Sequence, residues 1–390
     1  MLRSLLLQPA GVDVHLVFDH TISPEFIAET QKIWRAHNPQ EKNTQLSPGK
    51  QLSQTVYLTL EDGMYMAQKL KETYGQQVRV LQIRDSAKGQ EHLAVDITMK
   101  MLEALSGQLT LLHAAALADP SSKKTLVLIG PSGRGKTTAA RYLGQHLTYL
   151  SDETAVIEKN SSIRPYPKPL SIIKETGQPK IQYDPTSLGL HPAQPQDHSY
   201  RLHRIILLNR QEEASSTPAS LQTVELADAL IEIVQQSSGL AQSKDGIPNL
   251  IQLIQNSAGV VRLNYQDINQ TLGLVQEILA TETKPLADTA QTHPGPSRQT
   301  QADKEADPDQ PKKLERAAGS CLYQIGQRAL IHQQDQLLEI SPFAADCWLS
   351  LQQPKSWQQV QQELSKKYGP IPDQALIGVL EELKKEQLLA

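Results

Sequence analysis

Apolar residues recur along this chain with two periods, and the switches between them outline its elements. Val12, Val14, Leu16 and Phe18 share one parity, the period of a strand with one buried face. Ser23 and Pro24 open a helical run through Phe26, Ile27 and Ile33, the serine as cap and the proline in the first turn. Thr55 to Leu60 and Val78 to Ile83 read as strands, and Met64 to Tyr74 as a helix stopped by Gly75. Ile97, Met101 and Leu105 lie on one helical face, followed by strands over Leu109 to Leu117 and Leu126 to Ile129. Leu147 to Ile157 reads as two short strands meeting at an acidic turn. Three prolines between Arg164 and Pro169 remove backbone donors, which predicts a stiff loop. Its Arg164 and Lys168 could reach a phosphate, although cations in such a turn more commonly sit in solvent. His203 to Asn209 is a buried-type strand, Leu226 to Val234 and Leu250 to Ile254 are helical, and Val260 to Leu263 is strand-like. The helix Leu272 to Leu279 closes this region, and the alternation predicts an α/β sandwich.

The pattern then stops. From Ala287 to Lys313 there is no Leu, Ile, Val, Met or aromatic residue, so burial cannot offset the entropy of ordering, and a flexible linker is predicted. As a random coil it would span on the order of 30 Å. Apolar periodicity resumes in three strands, over Cys321 to Ile325, Ala329 to Ile331 and Leu337 to Ile340. Three helices follow, opened by Ser341-Pro342, by the capping box Ser356 to Gln359, and closed by the Leu376 to Leu383 face. The predicted divisions are an α+β N-terminal lobe (1–94), an α/β domain (95–281), a linker (282–316) and a small winged-helix-like unit (317–390).

Composition narrows the classes of function. The net charge of −4 over 390 residues gives no whole-chain attraction to nucleic acid or anionic lipid. Cys321 and Cys347 form neither a metal spacing nor a disulfide framework, and no apolar run approaches the roughly 20 residues that cross a bilayer. A cytoplasmic protein without nucleic-acid or membrane partners is the expectation.

Chemistry concentrates between residues 125 and 153. Gly130-Pro131-Ser132-Gly133-Arg134-Gly135-Lys136-Thr137 fits the G-x-x-x-x-G-K-[ST] loop, with a strand before it and a helix-compatible run from Thr138 after it. Glycines let backbone N–H groups converge on phosphate oxygens, Lys136 would neutralise the β/γ phosphates, and Thr137 would ligate Mg²⁺. A second carboxylate at a strand end is needed to hold that metal, and a base to take a hydroxyl proton. Asp152 and Glu153, sixteen residues after Lys136, could divide those tasks.

Leu112-His113-Ala-Ala-Ala-Leu117, the phosphate loop and Leu150-Ser-Asp-Glu153 stand in the order found in HPr serine kinase/phosphorylase-like proteins, which this stretch resembles. The resemblance implies an HPr kinase C-terminal-domain/PEP carboxykinase-like α/β fold that uses ATP and Mg²⁺. It makes Asp152 the base, Glu153 its acidic partner at the metal, and His113 the histidine upstream of the loop. The Glu-x-Arg-Gly signature of those enzymes has no good counterpart, Ile173-Lys-Glu-Thr-Gly177 being a poor match, so an acceptor other than HPr is expected. The last seventy or so residues resemble PqqD-like modules through Leu337-Leu-Glu-Ile-Ser-Pro342, Ala344 to Trp348 and Val360 to Tyr368. Such modules bind a precursor's leader as an added strand.

Together these predict an ATP-dependent kinase acting on a Ser/Thr hydroxyl of a peptide or protein, such as a ribosomally made precursor. A nucleotide-dependent peptide chaperone, a small-molecule hydroxyl kinase and a DNA-binding regulator stay open as other readings. For the last, Lys366-Lys367 and Lys384-Lys385 are offset by Glu363, Glu381 and Glu382. A homo-oligomer is a further partner that the kinase resemblance raises.

Overall fold

The computed structural model describes residues 2–44, 55–60, 68, 72, 78–131, 135–173, 179–211, 218–237, 239–240, 243, 245–282, 290–296, 313–334 and 336–390. The chain divides into two compact units, Met1–Val224 with Asn256–Pro285, and Glu225–Gln255 with Leu286–Ala390. Apart from Gln68 and Glu72, the helix predicted over Met64 to Tyr74 lies outside the described residues, as do its stop at Gly75 and Ser132, Gly133 and Arg134 of the phosphate loop.

In the first unit, β1 (Leu2–Leu7), β2 (Val14–Phe18), β3 (Gln40–Thr44), β4 (Thr55–Thr59) and β5 (Val78–Gln82) form a sheet of order β3-β1-β2-β4-β5. β1 is antiparallel to both β2 and β3, whereas β2, β4 and β5 run parallel. The helix Pro24–Ile33 begins as predicted, the Ser23 side chain accepting from the Phe26 N–H. The helix Ser86–Leu105 buries Leu93, Ile97, Met101 and Leu105 in one core with Leu5, Leu16 and Phe18. The expected boundary at residues 94/95 therefore falls inside a helix. That core also takes in Val156 and Tyr166, so the N-terminal lobe is not closed on itself. An apolar stripe shows that a helix covers something; it does not show which sheet.

β6 (Thr110–Leu112) and β7 (Ala114–Ala118) replace the single strand expected over Leu109 to Leu117, with the break at His113. There follow β8 (Lys124–Ile129), β9 (Thr148–Ser151), β10 (Ala155–Ile157), β11 (Ile163–Arg164), β12 (Leu170–Ile172), β13 (Ile181–Tyr183), β14 (His191–Pro192), β15 (Arg201–Arg210), β16 (Ser220–Val224) and β17 (Val260–Tyr265). Seven of these make a mixed sheet of order β14-β9-β7-β8-β15-β17-β16. β8, β15 and β17 are parallel, and β7 runs against both β8 and β9. The carboxyl ends of β8 and β9 and the amino end of β7 thus share one edge of the sheet. Ala115 and Leu117 of β7 pack in a core with Ala139, Ala140 and Leu143 of the helix Lys136–Leu143, and small side chains let that helix lie close.

The second unit holds β18 (Ala290–Pro294), β19 (Cys321–Ile325), β20 (Arg328–Gln333) and β21 (Gln336–Ile340), an antiparallel sheet in that order. β18 lies inside the segment expected to be a flexible linker. Its backbone pairs with β19 while Gln291, Thr292 and Pro294 stay exposed, so an apolar pattern was never required of it. The rest of that segment, 283–289 and 297–312, lies outside the described residues. The helices Pro342–Ser350, Trp357–Tyr368 and Asp373–Lys385 follow, with Ser341 and the Ser356/Gln359 capping box in the predicted roles. Trp348 is fully buried among Leu322, Ile331, Val360 and Leu376. The Arg316 guanidinium stacks 3.9 Å from the Trp348 ring and donates to the Trp348 and Leu349 carbonyls at 2.8 and 2.7 Å. The helix Leu226–Gln235 belongs to this unit rather than to a 95–281 domain: its Asp228 pairs with Arg328 at 2.7 Å.

Candidate active site

β8 delivers the chain to Gly130, and Gly135 returns it to the helix Lys136–Leu143. Gly135 caps that helix with φ 95°, a left-handed conformation that glycine adopts without strain, and a Cβ there would come 3.5 Å from the Tyr265 hydroxyl. Lys136 is buried, and its ammonium donates to the Gly130 carbonyl at 2.6 Å and weakly to that of Pro131 at 3.5 Å. Burial lowers its pKa, against the opposing fields of Glu153 and Asp152. Thr137 and Thr138 follow in the first turn.

At the neighbouring strand end the chain leaves β9 through Ser151, whose hydroxyl accepts from the Glu153 and Thr154 N–H groups at 3.3 and 3.1 Å. That turn sends the two carboxylates to different surroundings. Asp152 is 4% exposed. Its Oδ2 accepts from the Thr137 hydroxyl at 3.3 Å and its Oδ1 from the Tyr149 hydroxyl at 3.1 Å. Burial raises its pKa, although Lys168 pulls the other way. Glu153 is half-exposed and forms an ion pair with Lys168. Burial alone would raise its pKa, but the Lys168 ammonium outweighs that and holds it low. His113, where β6 gives way to β7, is solvent-exposed at its edge. The protein around the ring lowers its pKa, and the Lys136 charge adds to that. The next residue ties the strands together, the Ala114 N–H donating to the Glu153 carbonyl at 3.0 Å.

Lys136, Thr137, Asp152, Glu153 and His113 are thus brought to one place. The sequence did not settle the part of Lys168 and gave no signal for two tyrosines nearby. Lys168, which could have reached a phosphate or, more commonly, sat in solvent, is 6% exposed and inside the site. Tyr149, fully buried, also donates to the Lys168 carbonyl at 3.0 Å, and Tyr166 bonds the Thr98 hydroxyl at 2.7 Å within the N-terminal core. The prolines gave the loop's stiffness but not its destination. Arg164, by contrast, stays outside, paired with Glu158 at 2.6 Å.

Among the described residues no three His, Cys, Asp or Glu side chains converge as a self-sufficient metal site. Mg²⁺ does not need one, since one or two carboxylates with substrate phosphates and water complete its octahedron. The Thr137 hydroxyl and Asp152, joined at 3.3 Å, fit that donor set.

No family model matches this chain, and no curated protein matches it. Among solved structures, the Hpr(Ser) kinase/phosphatase from Coxiella burnetii aligns with 44% of this chain and 87% of its own, at 14% identity and a TM-score of 0.22. That likeness is loose, and the functional reading stands on the site's own geometry. No described helix is long and apolar enough to cross a membrane.

Proposed function

We propose that this chain is an ATP-dependent kinase that phosphorylates a Ser/Thr hydroxyl of a peptide or protein in the cytoplasm. One observation carries the reading: the phosphate loop after β8, the acidic end of β9 and His113 at the head of β7 share one sheet edge. On that edge the loop's backbone N–H groups and Lys136 bind the triphosphate, with the helix's amino end toward it. Thr137 and Asp152 would hold Mg²⁺, which would supply charge neutralisation at the phosphate oxygens. Asp152 also takes the acceptor's proton. Its burial raises its basicity once ionised, which suits that task. The acceptor oxygen bonds to the γ-phosphorus as the β–γ bridging bond breaks, ADP carries away the bridging electrons, and Lys136 follows the charge that develops. The sequence pattern of the C-terminal residues favours a peptide acceptor, because PqqD-like modules capture an extended segment through backbone bonds to a strand.

The test is label transfer from γ-labelled ATP to candidate peptides, with products located by mass spectrometry. Lys136→Ala is expected to reduce transfer by about 100-fold or more, the usual loss when a charge-stabilising donor is removed. Label transfer that survives this change refutes the assignment. Bound ATP without any phosphopeptide turns the reading to a nucleotide-dependent peptide chaperone.

A further inference from the structure

The turn at Ser151 parts the two carboxylates after β9, and Lys168 meets one of them, Glu153. Its ammonium is buried and paired with Glu153. The main chain there is fixed independently of that pair. Pro167 and Pro169 flank it, the Lys168 N–H donates to the Tyr166 carbonyl at 2.7 Å, and its carbonyl accepts from Tyr149. Releasing Glu153 would leave a buried ammonium without its partner, an unfavourable state. Asp152 also feels the Lys168 charge, but its two oxygens accept from hydroxyls instead, Thr137 at 3.3 Å and Tyr149 at 3.1 Å.

We infer that Lys168 is a built-in counter-cation that holds Glu153 out of the metal's coordination sphere, leaving Thr137 and Asp152 as the metal-side pair. The inference rests on the kinase reading's metal site and gives the reason for it, since the motif alone offers both carboxylates to the metal. Lys168 is in this sense a positioning residue: it acts on the metal through Glu153.

The experiment uses the full-length protein and Mn²⁺ alone, its binding followed by water-proton relaxation without nucleotide. Lys168→Met frees Glu153 and is expected to tighten Mn²⁺ binding about three- to tenfold, since one more anionic oxygen ligand becomes available. Adding Glu153→Gln to that variant should erase the gain, and Lys168→Arg should bind Mn²⁺ as the unaltered chain does. In the unaltered background, Asp152→Asn should weaken Mn²⁺ binding about tenfold and Glu153→Gln by less than about twofold. Thermal melting accompanies each variant. If Lys168→Met does not fold, the contrast between Glu153→Gln and Asp152→Asn decides alone. Unchanged or weaker binding in a folded Lys168→Met, equal losses in the two acidic variants, or no Mn²⁺ binding by either the unaltered chain or Lys168→Met overturns the inference. Failure of the unaltered chain to bind ATP would instead refute the kinase reading while leaving the Mn²⁺ comparison readable.

Discussion

The N-terminal lobe and the C-terminal unit each lay helices on a small sheet, yet they own their interiors differently. The C-terminal core is built from its own residues, Leu314 to Leu389, around Trp348. The N-terminal core borrows Val156 and Tyr166 from the two stretches that come after the acidic turn. Further ties run the same way. The Ala10 N–H donates to the Pro165 carbonyl at 3.2 Å, and His37 lies edge-on to Tyr166 with ring centroids 5.8 Å apart. A lobe that shares its core with a catalytic loop is part of the site's scaffold, whereas the core around Trp348 takes its residues from elsewhere, in a unit that also holds the helix Leu226–Gln235. This gives the N-terminal lobe a task that its sequence did not disclose: bracing the loop that carries Lys168.

Two large-to-small changes test this contrast most severely. Tyr166→Ala and Trp348→Ala should each cost about 3–5 kcal/mol, the usual loss for a fully buried aromatic. Only the first should also weaken Mg·ATP binding, which calorimetry beside urea unfolding would read. Equal effects on ATP binding would break the comparison.

Acid should separate the regions next. His37 is buried, and its pKa is lowered to about 3 by that burial, opposed in part by the Pro167 carbonyl. The unfolded ring binds its proton near the ordinary value of 6.5, while the folded ring stays neutral until about pH 3. The stability this represents is complete above pH 6.5 and falls by about 1.4 kcal/mol per pH unit below it. His37→Leu should flatten that slope in the first unit's unfolding, and an unchanged acid midpoint would refute the account.

A smaller effect belongs to the site itself. Asp152 acts as a base when ionised, so kcat/KM should rise with pH as it loses its proton; burial raises that pKa in the metal-free protein, and Mg²⁺ would lower it. The Tyr149 hydroxyl favours the ionised form, and Tyr149→Phe should move that rise upward by up to about one unit. A downward shift would show that Tyr149 does not donate to Asp152. Smallest, the caps Ser23 and Ser356 should each contribute about 1 kcal/mol against alanine, one in each unit, by differential scanning calorimetry.

What could be read from the sequence was what local chemistry decides. The phosphate loop's flanks, the acidic turn, the C-terminal strands and helices and their caps arise from periodicity and capping residues within a few positions of one another. The strands that escaped notice lack such a pattern. β3, Gln-Glu-Lys-Asn-Thr, is polar throughout and is held by backbone pairing to β1, with Arg3 and Glu41 2.8 Å apart across it. β18 is of the same kind. The burial of Lys168 escaped because three prolines specify a stiff loop equally well in solvent or in a core. Burial of a charge is settled by a partner, and Glu153 lies fifteen residues away in sequence.

The alanines of β7 carry a consequence for how this chain can diverge. Ala115 stands in the core beside Ala139 and Ala140 of the phosphate-loop helix, while the same strand separates β8 from β9. The distance from the phosphate-loop helix to the sheet that carries the acidic turn is thus set by side chains one carbon long. A larger residue at 115 has to be matched by a smaller one across from it, and residues 139 and 140 leave little to remove. Drift at these positions should be paired or forbidden. Sequences related to this one should therefore show correlated, near-invariant small residues there, even where the acceptor-binding parts have changed beyond alignment.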